Sequence, residues 1–103
     1  MPVPSNVFKI QFTPAAIEDL RWFGKYQQRQ ILGSIIAHLT QQPGGETRNR
    51  KRLRQNALAE WELRVGAFRV FYDVDEEHRQ VKVEAIGRKE GSRLYVGGKE
   101  YRL

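Results

Sequence analysis

Basic side chains in the second half of the chain have the types and spacing needed to bind a phosphodiester. If the Val-Gly-Ala-Phe segment after Arg64 forms a tight turn, Arg64 and Arg69 stand opposite each other on one face of a strand pair. Guanidinium groups bind phosphate through paired, charge-assisted hydrogen bonds, and a strand fixes them better than a loop. Arg88, Lys89 and Tyr95 follow soon after. We therefore predict a phosphate-binding site on this face.

Aromatic residues among these cations favour single-stranded RNA as the ligand, because Phe71 and Tyr95 offer rings on which an unstacked base can rest. RNA carries its own nucleophile, since a 2′-hydroxyl can attack the adjacent phosphate. An enzyme must then remove one proton, donate another and stabilise the added negative charge, and no metal is required. Arg69 suits charge stabilisation. Lys89 suits the same role or protonation of the leaving oxygen, and Tyr95 suits phosphate positioning or proton transfer.

The positive charge of the chain is concentrated rather than spread evenly. Eighteen Lys and Arg residues against 12 Asp and Glu residues give a net charge of +6, and residues 48–72 carry seven basic and two acidic groups. The densest run consists of Arg48, Arg50, Lys51, Arg52 and Arg54. Like charges this close repel one another unless a counter-charge is present, so we predict a polyanion or an acidic protein as partner. The alternative is a solubilising surface on which Glu62 neutralises Arg64.

Composition excludes several other kinds of chemistry. The chain of 103 residues has no cysteine, and its two histidines are His38 and His78. A disulfide framework, a thiol nucleophile and a Cys-ligated or His-rich metal site are thereby excluded, and no cofactor is implied. The length predicts a single domain over residues 1–103. Because no apolar run has the length of a signal peptide or a membrane span, we expect a cytoplasmic protein with no membrane partner.

Two helices are predicted to support this site from the N-terminal half. Residues 7–12 alternate as a short strand, and Thr13-Pro14 then opens a helix over 14–23 with Ile17, Leu20 and Phe23 on one stripe. A second helix over 25–41 ends at a Pro-Gly-Gly sequence and places Ile31, Ile35 and Leu39 on one face. We expect the two to form an antiparallel helical hairpin with one apolar side.

The period changes to two from residue 60 onward, which predicts a meander of three or four antiparallel strands in an α+β fold. One face is expected to pack on the helices and carries Trp61, Leu63, Val65, Phe68, Val70, Tyr72 and Val74. The other face is expected to stay open and carries Glu60, Glu62, Arg64, Arg69, Phe71 and Asp73. In the following strand, Val81, Val83 and Ala85 are predicted to point inside, and Lys82, Glu84 and Ile86 outside. The last residues predict a small hairpin around Gly-Gly.

A family resemblance rests on the strand pattern W-x-L-R-x-G, then an aromatic residue with Arg-Val-x-Tyr, then a strand ending in Ile-Gly and two basic residues. This sequence resembles the RelE/ParE superfamily of bacterial and archaeal toxins, most specifically over residues 61–95. The resemblance implies the fold described above and a toxin of a type II toxin–antitoxin system. The ribosome-dependent members cut messenger RNA in the decoding site, so it also implies the ribosome and mRNA as partners and an acidic antitoxin.

The resemblance also implies roles for particular residues. Arg69 matches the phosphate-stabilising arginine of the family, Tyr95 matches its near-C-terminal tyrosine, and Lys89 stands where a second catalytic arginine is usual. The run of residues 48–54, with Arg88, would grip ribosomal RNA by charge. No residue matches a proton acceptor, and we take Glu62 as the first candidate because the predicted pairing places it beside Phe71.

Three departures from the family pattern leave the function open. Endonuclease members often have lysines where this chain has Glu60 and Glu62, and Lys51 stands nearest to a loop glutamate that serves as base in others. The chain also ends in a predicted hairpin where many members have a helix. A ParE-like toxin that inhibits DNA gyrase without cutting RNA is therefore a second hypothesis. A degenerate RNA- or DNA-binding module of the same fold is the third.

Overall fold

The computed structural model describes residues 7–103, and within this range the chain forms two helices and seven strands. The helices are α1 (Pro14–Leu20) and α2 (Lys25–Leu39). The strands are β1 (Lys9–Phe12), β2 (Arg50–Arg52), β3 (Trp61–Val65), β4 (Phe68–Asp75), β5 (Gln80–Glu90), β6 (Arg93–Val96) and β7 (Lys99–Tyr101). The predicted α+β class and element order are confirmed. Strand β2, which the sequence did not predict, is formed by residues of the basic run.

The strands form one sheet in the order β2-β3-β4-β5-β6-β7, with antiparallel neighbours throughout. The N-terminal strand β1 pairs in parallel with the first residues of β5, whereas the last residues of β5 pair with β6. One edge of β5 therefore serves two strands in succession. The β3–β4 register pairs Arg64 with Arg69, as predicted. No helix within residues 7–103 is long and apolar enough to span a bilayer.

The start of α1 follows the sequence signal, and two of the three residues predicted for its apolar stripe, Leu20 and Phe23, pack against the core. The Thr13 hydroxyl accepts a hydrogen bond from the Ala16 backbone N–H at 3.1 Å, and proline fills the first helical position. The helix ends at Leu20 rather than at residue 23, and α2 ends at Leu39 rather than at residue 41. Ile17, predicted to lie on the apolar stripe, is 47% exposed, because α1 instead turns Ala16 and Asp19 towards the core.

The main core lies between the helices and one face of the sheet. Ile31, Ile35 and Leu39 of α2 are buried there, as their spacing predicted. The sheet contributes the predicted inner residues Trp61, Leu63, Val65, Phe68, Val70 and Tyr72, with Val74 partly buried against them. Strict alternation therefore gave the correct face along the whole of β3 and β4.

A β-bulge changes the face assignment in β5. Phe71 pairs with Ala85 and Tyr72 pairs with Val83, so that Glu84 is the extra residue. Downstream of the bulge, Ala85 lies with Phe71 on the second face, whereas Ile86 is buried in the main core. The expectation that Ala85 points inside and Ile86 outside is therefore wrong, because one inserted residue reverses the alternation.

The second face of the sheet is partly covered, contrary to the expectation of an open face. Phe71, Ala85, Leu94 and Val96 form a second buried cluster. Partly buried residues packed against it are Leu53, Leu58, Ala59 and Tyr101. The cover thus comes from the loop over residues 53–60 and from the β6–β7 hairpin, which folds back onto this face.

A glycine in β5 permits this fold-back. A Cβ at Gly87 would overlap the backbone oxygen of Tyr95 and would lie 2.7 Å from a Val96 methyl group. A residue with a side chain would therefore push β6 away from β5. The Ile-Gly pair in the resemblance has a physical reason here, since it lets the hairpin approach closely enough to build the second cluster.

Candidate functional site

A cleft of about 570 Å³ lies on the second face of the sheet, beside the second cluster. Its basic residues from the strands are Lys51, Arg64, Arg69 and Lys89, and Glu62 lies among them. The other lining residues are Leu53, Ser92, Arg93, Leu94, Glu100, Tyr101, Arg102 and Leu103. We call this the basic cleft. Strands β2, β3, β4 and β5 each contribute one of these cations, and the C-terminal hairpin forms the facing wall.

Arg69 is fixed at the floor of the basic cleft and is only 8% exposed. Its Nη1 donates hydrogen bonds to the backbone oxygens of Gly66 at 2.7 Å and Phe68 at 2.9 Å, within its own hairpin. Burial lowers the pKa of the Arg69 guanidinium, the Glu62 carboxylate raises it, and Arg64 lowers it again. A guanidinium keeps its proton in proteins, so Arg69 is a permanent positive charge in a fixed position.

Glu62 and Arg69 form a mostly enclosed ion pair. The distance from Arg69 Nε to Glu62 Oε1 is 4.0 Å, and the two side chains are 10% and 13% exposed, respectively. Their closeness follows from the register, which pairs Glu62 with Phe71 and Arg64 with Arg69 on adjacent rows. Lys51 of the edge strand is paired with Glu62 on the other side. The Glu62 carboxylate thus lies between Lys51 and Arg69, beside Phe71 as the predicted strand register required.

Lys89 reaches the cleft from the end of β5. Its backbone N–H donates to the Ala67 oxygen at 2.8 Å, which ties this residue to the β3–β4 turn. It pairs with Leu94 across the β5–β6 ladder, and both residues line the basic cleft. The predicted residues Glu62, Arg64, Arg69 and Lys89 are therefore brought together, and Lys51 joins them.

Tyr95 and Arg88 are not brought to this cleft. They pair with each other across the β5–β6 ladder and line a separate groove of about 260 Å³. The other residues of this groove are Trp22, Phe23, Glu90, Gly97 and Gly98. Side chains of adjacent residues in a strand point to opposite faces. Because Lys89 points into the basic cleft, Arg88 points to the other face of the sheet. The predicted grouping of Arg69, Lys89 and Tyr95 is thus divided between two faces of the sheet.

Phe71 offers no surface for a nucleobase. Its side chain is fully buried in the second cluster, beneath the loop over residues 53–60. That loop is held by Asn56, whose side-chain oxygen accepts from the backbone N–H groups of Leu58 and Ala59. The prediction that Phe71 stacks on a base is therefore wrong, because residues from a separate loop cover its ring.

The basic run divides into residues with different surroundings. Arg50 is a structural residue, since its Nη1 donates to the His38 oxygen at 2.6 Å and its Nε to the Gly45 oxygen at 2.9 Å. Its predicted contact with RNA stays a prediction. Arg52 lies over the Trp61 ring, with its Cζ 5.7 Å from the ring centroid. Its Nη2 is 3.9 Å from Oε2 of Glu60. Arg48 and Arg54 are exposed.

The sequence did not predict that the C-terminal hairpin forms the facing wall of the cleft. The C-terminal hairpin was predicted, but its return over the second face depends on the close approach at Gly87. Tyr101 of this hairpin lines the cleft, as does Leu53 at the start of the loop over residues 53–60. Within residues 7–103, no group of three His, Asp or Glu side chains is placed to hold a metal ion.

The fold has a counterpart among solved structures. A chain from the crystal structure of the toxin–antitoxin complex RelBE2 of Mycobacterium tuberculosis superposes with a TM-score of 0.71 and 22% sequence identity, over 85% of this chain and 98% of that chain. This similarity establishes the RelE-like toxin fold. No curated protein matches the sequence.

The sequence over residues 10–92 matches the family model of the ParE toxin of type II toxin–antitoxin systems, parDE. The chain therefore belongs to the ParE toxin family, and the predicted membership of the RelE/ParE toxin superfamily is confirmed.

Proposed function

We propose that this toxin is a metal-independent endoribonuclease that cuts messenger RNA on the ribosome. The observation that carries the proposal is the basic cleft, where Lys51, Arg64, Arg69 and Lys89 surround the Glu62 carboxylate. A row of cations on strands suits a sugar–phosphate backbone, and a carboxylate among them supplies a proton acceptor next to the bound phosphate.

In the proposed reaction, the ribose 2′-oxygen attacks the adjacent phosphorus while the bond from phosphorus to the 5′-oxygen breaks. Glu62 takes the proton of the 2′-hydroxyl, and the Lys89 ammonium gives a proton to the leaving 5′-oxygen. Arg64 and Arg69 stabilise the negative charge on the non-bridging oxygens. The products are a 2′,3′-cyclic phosphate and a free 5′-hydroxyl, and no further reactant is needed.

The firm anchoring of Arg69 supports its role. Two backbone oxygens hold one end of the guanidinium, so little side-chain freedom is lost when phosphate binds to the rest of the group. Lys89 cannot reproduce the two-pronged contact of an arginine, but an ammonium is a better proton donor than a guanidinium. This difference assigns charge stabilisation to Arg69 and proton donation to Lys89.

Two kinds of partner belong to this proposal. The exposed Arg48 and Arg54 precede and follow β2, whose Lys51 lines the basic cleft, and they would meet ribosomal RNA by charge. The similar solved structure is a toxin–antitoxin complex, which supports an antitoxin as the second partner. With a net charge of +6, this chain would favour an acidic antitoxin.

Neighbouring residues of β5 provide a matched test. Purified Lys89→Gln and Arg88→Gln variants are compared with the native protein on a messenger RNA in the presence and absence of ribosomes. We expect Lys89→Gln to slow cleavage by about 10²-fold or more, and Arg88→Gln to leave it nearly unchanged. The new 3′ ends should carry a 2′,3′-cyclic phosphate, or the 3′-phosphate that forms when water then opens the ring. Intact messenger RNA with the native protein and ribosomes would refute the proposal.

Inhibition of DNA gyrase without cleavage is the second candidate function. It is supported by the separation of Tyr95 from the basic cleft and by the match to the ParE toxin family. A supercoiling assay with purified gyrase distinguishes the two functions, because blocked supercoiling with intact messenger RNA would establish the second. Failure in both assays would leave the third hypothesis, a nucleic-acid-binding module.

A further inference from the structure

The groove of about 260 Å³ on the other side of the sheet from the basic cleft has a lining suited to a flat ligand. Aromatic rings come from two parts of the chain, Trp22 and Phe23 from the connection between α1 and α2 and Tyr95 from β6. Arg88 and Glu90 of β5 add a positive and a negative charge. We call this the aromatic groove. Pockets for drug-sized ligands measure about 300–1,000 Å³, so this smaller one suits a single ring system.

The Trp22 ring is held in place although it is 66% exposed. One edge of the indole lies against the backbone of Gly98, where a Cβ would stand 2.7 Å from Trp22 Cη2. The Trp22 backbone N–H donates to the Asp19 oxygen at 3.1 Å, which fixes the chain at the end of α1. A ring that is already ordered loses little freedom when a ligand stacks on it. Trp22 therefore presents a preformed stacking surface to solvent.

The charges of the aromatic groove form a pair with unused hydrogen-bonding capacity. Arg88 and Glu90 lie two residues apart on β5, so their side chains point to the same face. Arg88 Nη2 donates to Glu90 Oε1, and both side chains are about half exposed. A guanidinium has five N–H donors and a carboxylate about four acceptor positions, so one bond leaves most of them available. An exposed pair of this kind contributes little to stability, which leaves it free to bind a ligand.

A guanine base matches this combination of rings, donors and acceptors. Its O6 and N7 atoms accept hydrogen bonds from an arginine, and its N1–H and N2–H₂ groups donate to a carboxylate. Adenine carries an amino donor in place of O6, and the single ring of a pyrimidine covers less of an indole. An aromatic side chain of a protein would stack on Trp22 but would leave Arg88 and Glu90 without partners.

We propose that the aromatic groove is a binding site for the guanine base of a nucleotide. The base stacks on Trp22, Arg88 donates to its O6, and Glu90 accepts from its N1–H and N2–H₂. The same contacts serve a free nucleotide and an unpaired guanosine in RNA. Because the groove and the basic cleft open on opposite faces of the sheet, the proposal does not depend on whether the cleft cleaves RNA.

The test uses the two tryptophans as reporters in an NMR titration. Their indole N–H signals are separable by environment, since Trp22 is exposed and Trp61 is only 5% exposed in the core. We expect guanosine 5′-monophosphate to shift the Trp22 signal and to leave the Trp61 signal in place. Adenosine 5′-monophosphate has the same charge and a similar ring system, and we expect it to bind about tenfold more weakly.

Two variants with matched controls assign the contacts. Glu90→Gln should weaken guanosine monophosphate by about tenfold and leave adenosine monophosphate unchanged. Glu18→Gln, which changes another exposed glutamate paired with an arginine, should leave both affinities unchanged. Trp22→Leu, followed by shifts of the backbone signals of β5, should weaken both nucleotides by about tenfold. Tyr26→Leu removes a ring that is exposed elsewhere and should have no effect.

A second titration identifies the source of the base. An oligouridylate of about eight nucleotides with one central guanosine is compared with the same chain without guanosine. A Trp22 shift that requires the guanosine and is weakened by Glu90→Gln supports the groove as a site for guanine in RNA. A shift with the mononucleotide alone supports a free nucleotide as the ligand.

Three outcomes would overturn the proposal. The first is an unshifted Trp22 signal with both the mononucleotide and the guanosine-containing oligonucleotide. The second is equal affinity for the guanine and adenine nucleotides, because rings alone would then account for binding. The third is binding that is lost in Lys89→Gln and kept in Glu90→Gln, which would place the nucleotide in the basic cleft.

Discussion

The carboxylate of Asp19 in α1 accepts a hydrogen bond from the backbone N–H of Ile86 in β5, with Oδ2 and N 3.1 Å apart. This bond joins a helix to the strand just past the β-bulge at Glu84, where Ile86 turns into the main core. Asp19 is only 8% exposed, and burial raises its pKa, while the hydrogen bond from Ile86 lowers it. The residue therefore anchors α1 to the sheet.

Replacement of Asp19 tests this anchor. Asp19→Ala leaves the buried Ile86 N–H without its acceptor, and we expect the free energy of unfolding to fall by about 1–3 kcal/mol. Asp19→Asn keeps an oxygen acceptor at the same place and should lose less. Urea denaturation followed by circular dichroism measures both. Equal losses in the two variants would show that packing, rather than the hydrogen bond, makes the contribution.

The raised pKa of Glu84 predicts how the free energy of unfolding depends on pH. Burial, a hydrogen bond with Asp73 and the charge of Asp73 raise the pKa of Glu84 to about 7 from 4.5. The folded chain therefore keeps a proton that the unfolded chain has already lost. The contribution of Glu84 to the free energy of unfolding is then present below its unfolded pKa, declines as pH rises towards 7, and stays low above it.

The measurement is urea denaturation of native protein and Glu84→Gln between about pH 4.5 and about pH 8. We expect Glu84→Gln to remove most of the decline, because its amide cannot lose a proton. Glu76→Gln, at an exposed position of the β4–β5 turn, is the control and should keep the native profile. A decline that persists in Glu84→Gln would assign the pH dependence to other groups.

Two glycines of the chain should respond oppositely to the same substitution. Gly87→Ala places a methyl group against the Tyr95 backbone oxygen, and we expect a loss of about 1–3 kcal/mol in the free energy of unfolding. Gly33→Ala adds a methyl group to open space on a helix and should raise the free energy of unfolding by about 1 kcal/mol. Thermal denaturation of both variants tests the pair. A neutral Gly87→Ala would mean that β6 can shift without cost.

The division of the basic run predicts different effects for two nearby arginines. Arg50→Gln removes charge-assisted hydrogen bonds to the His38 and Gly45 oxygens, and we expect a loss of about 1–3 kcal/mol in the free energy of unfolding. Arg48→Gln changes an exposed side chain and should alter stability by less than about 0.5 kcal/mol. Equal stability of the two variants would contradict the structural role of Arg50.

The sequence predicted the β3–β4 hairpin and the pairing of Arg64 with Arg69 because both depend on local features, a short turn and strict alternation. It could not predict the bulge at Glu84, which is one residue inserted into a strand of ordinary composition. That single residue changed the faces of Ala85 and Ile86. The alternation of faces can be predicted from the local sequence as far as a bulge. Beyond the bulge, the face of each side chain depends on packing with other strands.

The same distinction explains the candidate site. Glu62, Arg69 and Lys89 meet because neighbouring rows of the sheet bring them together. Tyr95 goes to the other face with its ladder partner Arg88. Phe71 is covered by the loop over residues 53–60 together with the packing of the C-terminal hairpin. The constraint that decides this packing is the close contact at Gly87, which involves residues of another strand and cannot be identified from the local pattern.

The shared edge of β5 has a consequence for biosynthesis. β1 leaves the ribosomal exit tunnel before its partner residues 80–83 are translated, and β6 follows them onto the same edge. Neither pairing can exist in a short nascent chain, and contacts between distant parts of a sequence form slowly. The basic cleft therefore has no facing wall until β6 and β7 have left the ribosome.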